Sequence, residues 1–347
     1  MAEQTKNGDR QKRHALSWVF DSSYATTVPF YAWYFFKSQL TRLPEPKGDN
    51  TFNGQTVIVT GANVGLGLEA ARTIVRLGAG KPARAAKGVV ECWQVDVGSL
   101  ESVKAFCARA ESSLGRVDVL VANAGVAIPR YVACDGGLES TVAVNVVGAL
   151  LMAVLLLPAM RRTAARFNVE PRVSFVGSDA HQFARFAERH VSEGDRILDA
   201  FYDPDRMDTD RYNVSKVMIL MCARELARRL DEGSGNNPVI VNALNPGMCR
   251  SQLFRHTPFP LNWILAVGGR IVGRSSEEGA RTLVAGAAAG RESHGRYMLD
   301  CVVVDGAESP LVRSDEGRAV QVKVFDEIMD DLEKVQPGIR KIVAGSA

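Results

Sequence analysis

No CxxC pair occurs in the 347 residues; Cys92, Cys107, Cys134, Cys222, Cys249 and Cys301 stand far apart, with no histidine nearby at ligand spacing. That absence excludes a sequence-local zinc site and argues against a disulfide framework. The thiols are expected to be structural, no metal is expected, and a reducing, cytoplasmic setting follows. Excess charge is lacking as well: 42 basic against 39 acidic residues leave a formal +3. So even and scattered a balance makes no footprint for nucleic acid or an anionic membrane as the main partner. Long uninterrupted apolar runs are missing too. Ala15 to Phe36 is aromatic-rich, but Asp21 and Pro29 divide it, and neither part reaches a bilayer span or has the layout of a signal peptide. It is expected to lie across the domain or around a substrate entrance, with interfacial membrane contact as the alternative. Val142 to Met160 comes closer to spanning length, yet Asn145 and Pro158 lie inside it, so a buried helix is expected. Internal repeats and low-complexity segments are absent.

What is present is an alternation of strand and helix. The cluster RLPEPKGDN marks a boundary, giving an N-terminal extension over 1–50 and one large domain over 51–347. QTVIVT reads as a short buried strand. Val64 to Leu77 follows as a helix with Leu66, Ala70, Ile74 and Leu77 on one stripe, ended by Gly78. VVECWQV is expected as the next strand, Ser99 as the cap of the helix after it, and VDVLVANAG as a further strand. RVSFVG, a helix over Asn213 to Leu230, and PVIVNALNPG continue the order. Nearly continuous hydrophobic strands between helices predict an α/β fold, a doubly wound parallel sheet covered on both faces.

TGANVGLG, Thr60 to Gly67, sits between the first strand and the first helix, where a glycine motif acquires meaning. Gly61 permits a tight turn, Gly65 lets backbone approach a pyrophosphate, and Gly67 lets the helix come close to the strand. The helix N-terminus then offers free N–H groups to phosphate. Asp96 and Asn123-Ala124-Gly125 close later strands, on the side where such sheets bind ligands. Tyr212 and Lys216 in YNVSK are four apart on a helix and share a face. An ammonium so placed is expected to favour phenolate and bring a phenol of reference pKa about 10 towards working range. Ser178, just after RVSFVG, could donate to a substrate carbonyl.

TGANVGLG, NAG, Asn145, Ser178 after its strand, YNVSK and NPGMC, in that order, resemble the short-chain dehydrogenase/reductase family. HGRYMLDC and the closing SDEGRAVQVKVFDEIMDDLEKVQPGI are similar to its retinol-dehydrogenase-like branch, including members from fungal secondary metabolism. The resemblance implies a Rossmann-type domain and hydride transfer between a small-molecule alcohol or carbonyl substrate and NADP, with NAD as the alternative. It implies Tyr212 as acid/base, Lys216 lowering the Tyr212 pKa and binding the nicotinamide ribose, Ser178 polarising the carbonyl, and Asn145 holding a water in the proton relay. Gly61, Asn63, Gly65, Leu66, Gly67, Asp96, Asn123 and Gly247 would contact cofactor beside Tyr212 and Lys216. Apolar GALLMAVLLLPAM is similar to the family's dimer helix, so a homodimer is an expectation, with packing inside one subunit as the alternative. The 33 residues between Ser178 and Tyr212 are a long insertion whose Phe183, Phe186, Phe201 and Tyr202 suggest a flap over substrate. His181 within it is expected to be structural rather than a second donor.

One stretch departs from the pattern. Only Gly80 to Gly88 separates the first helix from VVECWQV, whereas two parallel neighbours need a crossover of at least about ten to twelve residues. A strand-helix pair is therefore missing. Either VVECWQ pairs directly with QTVIVT, bringing Asp96 or Lys81, Arg84 and Lys87 to the ribose, or the sheet keeps a ragged edge, or the written sequence omits a coding segment. Arg84 and Lys87 tilt the expectation towards NADP.

Overall fold

The computed structural model describes residues 35–46, 51–80, 89–233, 237–250, 253, 269–270 and 272–345. Contacts divide the chain into Met1–Arg42 and Leu43–Ala347. In the first unit residues 35–40 are helical, and Phe35 meets Phe36 edge to face at 5.6 Å. The rest of the aromatic segment, 15–34, lies outside the described residues. The second unit begins at Leu43, which is buried, donates its N–H to Glu278 (3.3 Å) and accepts from Arg281 (2.7 Å).

Among the described residues of this unit six strands form one sheet in chain order: β1 (Val57–Val59), β2 (Val119–Ala122), β3 (Arg172–Val176), β4 (Ile240–Asn245), β5 (Tyr297–Leu299) and β6 (Val302–Val303). β1 to β5 are parallel, and β6 closes an antiparallel hairpin that the sequence pattern did not suggest. Because side chains alternate along a strand, each central strand feeds two cores. Val119 and Val121 face one side, with α1 (Gly65–Arg76) and α5 (Ser276–Ala288); Leu120 and Ala122 face the other. That second face is covered by α2 (Leu100–Ser113), α3 (Ser140–Phe167), α4 (Arg211–Glu232), α6 (Asp315–Val335) and α7 (Ile339–Ala344). The result is the α/β Rossmann-type arrangement, a mostly parallel sheet between helical layers.

Among the described residues, α3 is the one helix long and apolar enough to cross a membrane, but 83% of its apolar window is buried inside the chain. Leu150, Leu151, Met152, Val154, Leu156 and Leu157 are each at most 1% exposed and pack into the main core, with α2 alongside. Most of the apolar run thus packs within the chain, while Leu155, Pro158 and Arg161 stay partly exposed. Ser99 caps α2, accepting from the Ser102 N–H.

VVECWQV does not form the expected strand. Among the described residues β1 pairs with β2 alone and 89–96 runs without a ladder, so the direct pairing with QTVIVT is overturned. The local hydrogen bonds show why. Gly80 N–H donates to the Gln55 carbonyl and Val89 N–H to the Gly80 carbonyl, which ties the segment to the residues before β1 and turns it away. Val89 and Val90 are left 65% and 63% exposed. Trp93 instead packs on α2, edge to face with Phe106 at 5.6 Å and under the Arg109 guanidinium at 3.9 Å. Val97 then presses its carbonyl onto bare backbone of α3, where a Cβ at Gly148 would fall 1.9 Å from it. The sheet therefore has the ragged edge, with β1 only half-buried. Lys81, Arg84 and Lys87 lie outside the described residues.

Candidate active site

The glycine turn leaves β1 and enters α1. Gly61 (φ +64°) and Gly65 (φ +59°) adopt the left-handed conformation that favours glycine, and a Cβ at Gly67 would lie 2.4 Å from the Gly61 carbonyl oxygen. Around Gly65 a Cβ would meet no heavy atom within 4 Å, and Val64 provides no side-chain cap to the helix. Open space, free backbone N–H groups and a helix dipole together fit a phosphate. Asn63 is exposed at the tip, whereas Leu66 turns inward against α5, near Gly279.

The end of β2 is locked to this turn. Thr60 Oγ1 accepts the N–H groups of Asn123 (3.0 Å) and Ala124 (2.9 Å), and Asn123 Nδ2 donates to the carbonyls of Thr60 (2.9 Å) and Gly61 (3.3 Å). Asn123 thus shapes the loop from behind. Asp96 is exposed and accepts the Gly98 N–H at 2.9 Å.

Gly125 carries the wall on towards α3 and α4: a Cβ there would come 3.2 Å from Asn145 Oδ1 and 3.8 Å from Lys216 Nζ. Asn145 lies in a π-helical stretch, Ala143–Gly148, of the kind that interrupts regular helix at functional sites. Its side chain is fully engaged. Oδ1 accepts the Val126 N–H (2.8 Å), and Nδ2 donates to the Val126 carbonyl (2.9 Å) and to Ser215 Oγ (3.0 Å). The amide therefore braces α3 against α4. Ser215, not singled out from the sequence, in turn donates to the Tyr212 carbonyl at 2.7 Å.

Ser178, Tyr212 and Lys216 come together as expected. Ser178 caps a short turn, accepting the Ala180 N–H at 3.1 Å, which leaves the hydroxyl proton to point outward; the side chain hydrogen-bonds the Tyr212 phenol. Lys216 Nζ donates to the Val176 carbonyl at 2.9 Å and stands 5.6 Å from the centre of the Tyr212 ring. Electrostatics correct the expectation here. Burial dominates both groups: it raises the phenol to about 12, opposed by the Ser178 hydrogen bond, and lowers the ammonium to about 8. A phenol raised to about 12 keeps its proton through the neutral range.

Two buried neighbours fix Ser178 from below. His181 is neutral, its pKa lowered by burial to about 4, and donates from Nδ1 to the Ser178 carbonyl (2.6 Å) while Nε2 accepts the Ser309 N–H (3.2 Å). This is the structural role. Asn245 Oδ1, at the end of β4, accepts both the Asp179 N–H (3.3 Å) and the Gly247 N–H (3.0 Å), joining the serine turn to Asn245-Pro246-Gly247. Gly247 itself sits at φ +73°. Asp179, mostly surrounded by protein, is raised to about 6 by burial.

The insertion is packed rather than a free flap. Phe186 and Phe201 are fully buried anchors; Glu327 accepts the N–H groups of Ile197 (3.1 Å) and Leu198 (2.9 Å), and Asp210 those of Arg185 (2.7 Å) and Phe186 (3.3 Å). Only Phe183 and Tyr202 of its aromatics keep substantial surface. Among the described residues no cluster of side chains could hold a metal ion.

The family profile of short chain dehydrogenase matches residues 55–180. A short chain dehydrogenase/reductase of Cryptosporiopsis sp. is 35% identical over 329 residues, covering 88% of this chain and 98% of the relative. Since 88% of 347 residues is fewer than 329, that relative carries residues with no counterpart here. A short chain dehydrogenase of Emericella nidulans is 40% identical over 289 residues, 77% of this chain and 90% of the relative. Among solved structures, an uncharacterized protein from Mycobacterium paratuberculosis shares 25% identity and a TM-score of 0.54 over 82% of this chain and 98% of that one. The NADPH-bound carbonyl reductase from chicken fatty liver, 17% identical with a TM-score of 0.50 over 73% and 99%, shares the fold. By its glycine turn, its serine, tyrosine and lysine, and its likeness to these relatives along most of its length, the chain belongs to the short-chain dehydrogenase/reductase family.

Proposed function

We propose that this protein is an NAD(P)-dependent oxidoreductase that interconverts a moderately hydrophobic alcohol and its ketone or aldehyde, with NADP(H) as cofactor. One observation carries the reading: the Ser178 hydroxyl is hydrogen-bonded to the Tyr212 phenol, with the Lys216 amine on the same face of α4. A secondary-metabolic role and membership of the retinol-dehydrogenase-like branch rest on resemblance to fungal members and on the C-terminal motifs, and a cytoplasmic setting rests on the six free, scattered cysteines. When bound, the dinucleotide supplies or accepts the hydride. Gly65 and the N-terminus of α1 would hold its pyrophosphate, Asp96 would approach its adenine, and the Gly247 turn would border its nicotinamide. A substrate carbonyl would replace the phenol as acceptor of the Ser178 proton. Tyr212 would then deliver its own proton to the oxygen, and Lys216 would stabilise the phenolate left behind. Asn145 acts by holding Ser215 and hence the first turn of α4.

The two pKa directions give a pH dependence. Reduction needs protonated Tyr212 and charged Lys216, so kcat/KM for reduction should be level up to about 8 and fall above it as the ammonium deprotonates. Oxidation needs the phenolate and the ammonium. Below about 8 its rate should climb with pH, about tenfold per unit, because the phenolate fraction rises while Lys216 stays charged; above it the two titrations cancel and the profile levels. Measuring NADPH consumption and formation across a carbonyl and alcohol panel tests both the activity and the break; a panel with no turnover would leave the proposal without support. The half-buried edge at β1 favours a second reading, a nucleotide-sensing or vestigial protein of the same fold. Normal NADPH binding without turnover on any substrate would distinguish it.

A further inference from the structure

We propose that Arg274 is a positioning residue that holds the 246–250 turn in the shape that receives the nicotinamide half of the cofactor. This inference rests on the proposed reading of that turn as the nicotinamide border. The Arg274 side chain is 1% exposed. One arm donates to the Pro246 carbonyl (3.2 Å) and the other to Asp300 Oδ1 (2.7 Å). Its backbone grips the same turn: Arg274 N–H donates to the Met248 carbonyl (2.9 Å), the Arg250 N–H to the Arg274 carbonyl (3.0 Å), and Cys249 and Arg274 form a parallel bridge. A single buried residue thus holds both ends of the turn.

The other end of the clamp is a hairpin tip. Leu299 pairs with Val302, so Asp300 and Cys301 are the two central residues of the β5–β6 hairpin, and both have positive φ, +50° and +72°. That is the type I′ geometry favoured by two-residue hairpins, in which Asp tolerates positive φ better than Cys does. The ion pair to Arg274 ties this hairpin tip to the 246–250 turn. Asp179, next to Ser178, faces both Asp300 and Arg274, so the charges of the clamp also reach the serine turn. Fixing a turn in its bound shape before the ligand arrives removes an ordering cost from binding. The clamp should therefore matter for the nicotinamide half and not for the adenosine half, which lies at the glycine turn by β1.

The test compares NADPH with 2′-phospho-ADP-ribose, the same molecule lacking nicotinamide, by titration into wild type, Arg274→Met and Arg274→Lys. Removing one partner of a buried pair is disruptive, so Arg274→Met is expected to weaken NADPH at least about tenfold while changing 2′-phospho-ADP-ribose less than about twofold. Arg274→Lys keeps the charge but not the fork, and should fall between; it also serves if the methionine variant does not fold. Equal loss of both ligands, or of neither, in a folded variant overturns the inference alone. Wild type that binds neither ligand overturns the cofactor reading, and the inference with it.

Discussion

Tyr212→Phe is expected to lower turnover by about 10²-fold or more while leaving dinucleotide affinity within about twofold. The substitution keeps the ring and removes both the transferable proton and the oxygen that Ser178 hydrogen-bonds. Because burial holds the phenol up at about 12, that proton is present throughout the neutral range, and nothing else at the same point can replace it. His181 is neutral but spends both ring nitrogens on backbone groups, and Asn145 spends its amide on Val126 and Ser215. Ser178 has a proton, but a serine hydroxyl is too weak an acid to give it up fully. Steady-state kinetics with a binding titration on the same preparation read the two quantities separately. Unchanged turnover would remove Tyr212 from the chemistry.

Gly67→Ala should act on binding instead. The added Cβ would fall 2.4 Å from the Gly61 carbonyl oxygen and 2.5 Å from Asn123 Nδ2. Neither atom can retreat cheaply, because Gly61 is the tight turn itself and Asn123 is held by its two hydrogen bonds to Thr60 and Gly61. Overpacking of this kind costs about 1 to 3 kcal/mol. Relieved by shifting the turn away from α1, it should weaken NADPH binding by roughly ten- to a hundredfold and lower the melting temperature. Gly65→Ala makes a useful contrast: its Cβ would meet no protein atom, so strain from φ +59° and obstruction of the phosphate would be the effects, with little repacking. Wild-type affinity in Gly67→Ala would mean that the turn does not hold the phosphate.

Much of this site could be read before any coordinates. The glycine turn, the four-residue spacing of Tyr212 and Lys216, and Ser178 at a strand end depend on local geometry, which a sequence carries directly. VVECWQV failed because a strand needs a partner, and its fate was decided by Gly80 bonding to Gln55 and by the bare backbone at Gly148, contacts distant in sequence. The phenol's pKa failed for a similar reason: spacing shows that a cation is near, but only packing shows that burial outweighs it. Ser215 and Arg274 were missed because the fold supplies their partners from far along the chain, Asn145 for the one and Pro246 and Asp300 for the other; Asn245 was visible in its Asn-Pro-Gly turn, but its bond to Asp179 was not. Thr60 was visible inside the glycine motif; its task of holding Asn123 and Ala124 was not.

Among the described residues β1 lies at the edge of the sheet, and we propose that the glycine turn, α1 and the Asn123 brace still suffice to bind a dinucleotide there. Titration of NADPH and NADH into the purified, folded protein tests this most directly. Saturable one-site binding, tighter for NADPH, is the predicted result. A folded protein that binds neither would contradict it.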